Sequence, residues 1–225
     1  MKKLITLVIV FVLTFSTACE KHDTGILNND DFSKVGDIIQ FGGYDWKILE
    51  IENDKALILS DKILMKESYH STDERVTWEG CDLRQYLNGT FYENIFTIEE
   101  RNLIIEMNIK NTANQWYGIN GGVDTTDKIF LLSLEEVVRY FGDSGQLVNI
   151  PADNVYKISD EYDSKRVAKD KDSDNVGWWL RSPGARTDLT VFVDYEGKIQ
   201  AAGHNSNEYV DSTGGVRPAL WIKIE

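Results

Sequence analysis

Short runs of Ile, Leu, Val and aromatic residues stand at both ends of this chain, and helical periodicity appears only between them. Residues 36–41, 44–51 and 55–60 are three such runs, separated by Gly42-Gly43 and Asn53-Asp54, which are the turn residues of a meander. Residues 177–181, 189–194, 198–202 and 216–224 repeat the pattern, with Tyr195-Glu196-Gly197 as a hairpin turn. In 216–224 the apolar residues Val216, Leu220, Ile222 and Ile224 share one parity and set Arg217 and Ala219 on the other face. Pro218 makes this an edge strand or places a bulge there. Trp178 and Trp179 are adjacent, so a strand points them to opposite faces, one to the core and the other toward a groove.

The middle of the chain is helical in places. Leu83, Tyr86 and Leu87 recur at helical spacing after Thr77, and Asn88-Gly89 offers a stop. Thr97-Ile98-Glu99-Glu100 is a capping box that starts a helix to about Ile104. Ser133-Leu134-Glu135-Glu136 repeats it and opens a helix through Phe141, closed by Gly142. Residues 111–128 and 143–176 are long polar stretches of the kind that binds something or stays irregular. No internal repeat and no second linker appears, so residues 34–225 are read as a single α+β domain with a mixed, mainly antiparallel sheet, two or three helices and long loops.

The first nineteen residues say where such a domain would live. Lys2 and Lys3 form a basic segment, residues 4–15 are apolar, and Ser16-Thr17-Ala18 places small residues before Cys19, where bacterial lipoproteins are cut and acylated. A spanning helix needs about 20 apolar residues, more than this run supplies. Residues 1–18 are therefore expected to be a lipoprotein signal peptide. Cys19 would carry acyl chains such as palmitate, residues 19–33 would form a polar tether, and the domain would sit at the cell membrane on its extracytoplasmic face. Ser16 stands where an aliphatic residue is usual, so a cleaved, freely secreted product is the alternative.

Loss of the two lysines with the peptide takes the formal charge from −13 to −15, which argues against nucleic acid and against a basic membrane-binding patch. Cys81 is then the one remaining cysteine, so no intramolecular disulfide can form. Glu79 and Asp82 beside it would raise its pKa, the setting of a buried structural thiol rather than a nucleophile.

The densest pattern is Gly177-Trp-Trp-Leu-Arg-Ser-Pro-Gly184, followed by Gly214-Gly-Val-Arg-Pro-Ala-Leu-Trp-Ile222. With the opening GDIIQFGGYDWKILEI and with LRQYLNGTFYENIF, these elements resemble an uncharacterised family of bacterial surface domains carrying WWLRSPG and GVRPAL. More distantly the chain resembles the C-type-lectin-like fold of formylglycine-generating enzymes and variable receptor-binding proteins, which end in a Gly-x-Arg strand. That resemblance implies that the first and last strands pair, that two helices flank a sheet and that a loop region forms the ligand surface. Formylglycine-generating enzymes use a pair of cysteines to bind copper, and only Cys81 is present here. The Glu-Pro-Asn, Gln-Pro-Asp and Trp-Asn-Asp motifs of calcium-dependent lectins are missing.

No cofactor is expected. Asp170, Asp172, Asp174 and Asn175 alternate like the start of a calcium loop, but the glycine and the bidentate glutamate that such a loop needs are missing, which favours a solvated acidic loop. Gly142-Asp143-Ser144-Gly145 has the letters of a serine-protease nucleophile, yet His70 and His204 lie in no recognisable triad context, so no catalytic residue is assigned. The leading expectation is a non-catalytic binding domain for a glycan or an envelope protein. Trp116, Tyr117, Asn120, Asp188, His204, Asn205 and Asn207 would form its contact surface, with Trp179, Arg181 and Arg217 in structural roles. A wall-glycan hydrolase using paired carboxylates and a structural subunit of an envelope assembly are the alternatives. Cys19→Ser is expected to release the protein from the membrane fraction. Retention that still requires detergent would refute acylation at this residue.

Overall fold

The computed structural model describes residues 34–72, 74–153, 156–205 and 214–224; Cys19, the tether and Asn207 lie outside them. In chain order the strands are β1 (Ile38–Phe41), β2 (Tyr44–Glu52), β3 (Lys55–Ser60), β4 (Met65–Lys66), β5 (Ile104–Ile105), β6 (Met107–Ile109) and β7 (Thr125–Asp127), then β8 (Ala168–Lys169), β9 (Asn175–Val176), β10 (Trp178–Pro183), β11 (Leu189–Val193), β12 (Ile199–Asn205), β13 (Gly215–Val216) and β14 (Ala219–Lys223). The helices are α1 (Asp82–Tyr86), α2 (Tyr92–Ile95), α3 (Ile98–Leu103), α4 (Leu134–Phe141) and α5 (Asp163–Arg166). The architecture is α+β with mostly antiparallel sheets, as the order of the sequence patterns implied.

One five-stranded sheet runs β1-β2-β3-β14-β5 and a second runs β12-β11-β10-β13-β4. Every pair in the first is antiparallel, and in the second only β10 and β13 run parallel. The β1–β2 turn places Gly42 and Gly43 at φ 56° and 74°, left-handed values that a two-residue hairpin requires and only glycine adopts without strain. Here the structure corrects an expectation: first and last strands share a sheet but do not pair. The meander uses β2 as β1's neighbour, and β14 takes the open edge of β3, matching Ala219 to Leu59 and Lys223 to Lys55.

The run 216–224 is not one alternating strand. Pro218 has no amide hydrogen for a ladder, and the chain changes sheets there, with β13 before it and β14 after it. Both segments lie inside their sheets, so the edge-strand reading is also corrected. Val216, Arg217, Ala219 and Leu220 are all buried, because the crossing lies between the two sheets. Trp178 and Trp179 are both fully buried as well, which overturns the assignment of one to a groove. Trp179 packs edge-on to Tyr69 and Phe192, while the indole N–H of Trp178 donates to the Arg166 carbonyl at 3.0 Å.

Both capping boxes form as read from the sequence, at Thr97–Glu100 and at Ser133–Glu136, and Gly142 closes α4 at φ 94°. The expected stop at Asn88-Gly89 does not occur. A turn of π-helix, Leu87–Phe91, carries the chain on into α2. Asn88 instead joins distant segments. Its amide donates to the Arg84 and Ile129 carbonyls at 3.1 and 2.8 Å, and its oxygen accepts from the Lys128 and Ile129 amides at 2.8 and 3.1 Å. It therefore clamps the segment leading to α4 against α1. Asn88→Ala would remove these bonds to the Lys128–Ile129 backbone and is expected to cost about 2–3 kcal/mol of unfolding free energy. That is measurable as a lower urea midpoint at unchanged slope.

Candidate functional site

A hollow of about 480 Å³ on the described surface is lined by Glu67, Ser68, Ser71, Asp82, Leu83 and Tyr86. Two short stretches make it: the segment after β4 and the first turn and a half of α1. Each is fixed from below. The Trp179 indole donates to the Glu67 carbonyl at 2.9 Å, and the Leu83 amide donates to the Tyr69 carbonyl at 3.2 Å. Tyr69 is itself buried between Trp78 and Trp179, with ring centroids 6.1 and 6.3 Å away.

The helix side is set by a buried carboxylate. Asp127 accepts from the Trp78 indole at 2.8 Å, from Arg84 Nε at 2.7 Å and from the Thr125 hydroxyl at 2.7 Å. Cys81 caps α1, its sulfur accepting from the Arg84 amide at 3.4 Å. Burial pushes its thiol up to about 12, so it stays protonated and unreactive at neutral pH. Asp82 follows in the first turn, where the helix dipole favours a negative charge.

The Ser71 hydrogen bonds, including its backbone amide at 2.8 Å, hold the Asp82 carboxyl below its ordinary value, with a smaller contribution from His70. His70 Nδ1 lies 3.0 Å from the same carboxylate but is not aligned for a well-formed hydrogen bond. The Asp82 side chain is 45% exposed and Tyr86 is 40% exposed. The hollow thus offers carboxylates, hydroxyls and one aromatic ring to a ligand.

The residues expected from the sequence to form a contact surface lie elsewhere. Trp116 donates its indole N–H to the Leu147 carbonyl at 3.2 Å, and Asn120 accepts from the Gly122 amide within its own loop. Tyr117 is pushed up by burial and by Tyr156 nearby. Their loop is pinned by Asn114, which donates to the Pro183 and Ala201 carbonyls, each at 2.9 Å. Asp188 is paired with Arg186 at 2.7 Å, His204 stands edge-on to Phe192, and Asn205 lies opposite Leu189 where β12 meets β11. The structure therefore brings Trp116 and Tyr117 together with the loops around Leu147 and Tyr156, and sets Asp188, His204 and Asn205 at the β11–β12 end. None of these six lines the hollow. Glu67, Ser68 and Ser71 were missed because their stretch carries no motif, and Tyr86 was read only as part of a helical pattern.

Arg181 and Arg217 are both buried. Arg181 holds Glu136 through both its terminal nitrogens, at 2.5 and 2.9 Å, and reaches the Leu131 and Lys110 carbonyls. Arg217 donates to the Ser60 and Asp61 carbonyls and lies over the Trp178 and Phe141 rings, and burial lowers it to about 10. In the acidic loop, Asp170 accepts from the amides of Asp172 and Asp174 and pairs with Lys66 at 3.4 Å. Among the described residues no group of three or more His, Cys, Asp or Glu side chains is placed to hold a metal ion, and no helix is long and apolar enough to cross a membrane.

A family model described as a domain of unknown function, DUF6273, matches residues 53–224. No curated protein and no solved structure matches the chain.

Burial alone would raise the Glu136 carboxyl, but Arg181 and the Ser133 contacts outweigh it, and the folded value lies below the ordinary one. The unfolded chain therefore takes up this proton first as pH falls. The stabilisation is present above about pH 4.3 and is lost as pH drops toward the folded value. Glu136→Gln should flatten that acid limb and, with 28% of the side chain still in water, cost about 2 kcal/mol at neutral pH. Urea unfolding across pH measures both effects.

Proposed function

We propose that this chain, which belongs to the DUF6273 family, is a lipid-anchored domain on the extracytoplasmic face of a bacterial membrane that binds a glycan without turning it over. The observation that carries this reading is the hollow in which the half-exposed Tyr86 ring stands with Glu67, Asp82, Ser68 and Ser71. A sugar has apolar C–H faces that pack on an aromatic ring and hydroxyls that donate to carboxylates, and this lining meets both needs. Acylation at Cys19 supplies the attachment, and the polar residues that follow give the domain its reach.

The distant C-type-lectin-like relation belongs to the same proposal. Two mainly antiparallel sheets and the buried Gly215-Val216-Arg217 element support it, and the separation of the first and last strands by β2 and β3 counts against it. The lectins' calcium motif is missing, so the hollow would be a different kind of sugar site.

Two carboxylates in one hollow also favour the hydrolase alternative. Of the pair, Asp82 is held low by Ser71, which suits a base or nucleophile and not a proton donor. Titration of the full chain in detergent with soluble cell-wall glycan fragments is expected to give saturable binding with no new reducing ends. Tyr86→Ala should weaken the binding about tenfold, the loss of one stacking contact. Turnover would move the reading to the hydrolase, and capture of one envelope protein without glycan binding would move it to a structural subunit.

A further inference from the structure

We infer that the hollow between residues 67–71 and α1 takes a ligand carrying a positive charge, a protonated primary amine such as that of an amino sugar. The inference rests on the glycan-binding reading for its site and goes beyond it in the charge of the ligand. Glu67 and Asp82 are the ionisable carboxylates among the lining residues, and they stand on its two sides, one on each stretch of chain. An ammonium group has three donors and no acceptor, so it matches carboxylates and hydroxyls and is repelled by nothing in this lining.

The cations nearby are engaged elsewhere. Arg84, on the same helix as Asp82, is turned to the buried Asp127 at 2.7 Å. Lys66, next to Glu67 in sequence, pairs with Asp170 at 3.4 Å. Arg75 acts on Asp188, and Asp188 is paired with Arg186. His70 is the exception: its Nδ1 lies 3.0 Å from the Asp82 carboxylate, with its ring mostly covered, so Glu67 is the lining carboxylate against which none of these cations is placed. Tyr86 adds the face of an aromatic ring, which attracts a cation electrostatically in addition to packing on a sugar. The formal charge of −13 draws cations toward the molecule from a distance and keeps anionic ligands away.

A pair of probes separates charge from sugar shape. Glucosamine oligosaccharides and their N-acetylated counterparts share a backbone and differ in whether the nitrogen is charged. With the full chain in detergent at about pH 5.5, where the amines of the oligosaccharide are mostly protonated and the carboxylates remain ionised, the amino form should bind about fivefold more tightly, the size expected for a partly exposed charge contact. The preference should shrink at high salt. It should also disappear in Glu67→Gln, an exposed position whose change leaves the melting temperature unmoved. Asp82→Asn should act the same way, with its fold checked by melting because Asp82 also holds Ser71.

Equal binding of the two oligosaccharides, or tighter binding of the acetylated form, would overturn the inference and leave the glycan reading standing. Binding of a lysine-rich peptide, abolished by Glu67→Gln, with neither saccharide bound would keep the amine and overturn the glycan. No binding of any of the three would overturn both.

Discussion

Pro218 cannot donate a ladder hydrogen bond, and both sheets are organised around that gap. The chain enters it from β13, pinned between β10 and β4, and leaves it as β14, pinned between β3 and β5. Arg217 sits at the crossing and donates from Nε and one terminal nitrogen to the Ser60 and Asp61 carbonyls at the end of β3, while its guanidinium lies over the Trp178 and Phe141 rings. The Pro218 carbonyl accepts from the Ser60 amide at 2.9 Å, so the proline closes the junction it opened. A guanidinium buried there stays charged because its pKa starts high enough to remain near 10 after desolvation. Residues 215–223 thus hold both sheets together, and neither sheet is complete until they are in place.

The two capping glutamates tie the helical middle to this frame. Glu100 satisfies the Thr97 amide with one oxygen and the Gly42 amide of the first hairpin with the other, both at 2.8 Å. Glu136 satisfies the Ser133 amide and also grips Arg181 on β10. Each box was legible because it depends on residues three apart, a spacing that the chain itself displays. The second partners were not, since Gly42 is 58 residues from Glu100 and Arg181 is 45 from Glu136. The same limit explains Asn88. Read locally with Gly89 it is a helix stop, and its true partners at 128 and 129 lie 40 and 41 residues away.

Alternation is readable from the sequence where one face meets water, as in residues 38–41, which are exposed and buried in turn. Residues 55–60 have no such face and form a strand to the residue because a turn and a short apolar run bound them. Val216 to Ile224 keeps a period of two only beyond Ala219, because the crossing segment is enclosed on every side. Adjacent tryptophans on β10 point to opposite faces as geometry demands, yet a layer of structure covers each face. Alternation in sequence reports burial only for a strand with a solvent side.

The hollow escaped the sequence for a related reason. Aromatic and amide residues in long polar loops suggest a ligand face, but Trp116 and Asn114 direct their polar groups to backbone carbonyls that hold the loop in place. The lining comes instead from a segment with two residues of strand and a helix of five, where the spacing of Leu83 and Tyr86 marks a helix but not a ligand site. What gives those pieces a fixed shape is the buried set beneath them: Asp127 orienting Trp78 and Arg84, Trp179 holding Glu67, and Tyr69 wedged between the two indoles. A carboxylate surface over an aromatic floor whose one ion pair, Arg84 with Asp127, is internal follows from that division. The polar groups of the floor are engaged in holding the backbone, and the negative charge of Glu67 and Asp82 is left at the rim, where solvent or a cationic ligand can meet it.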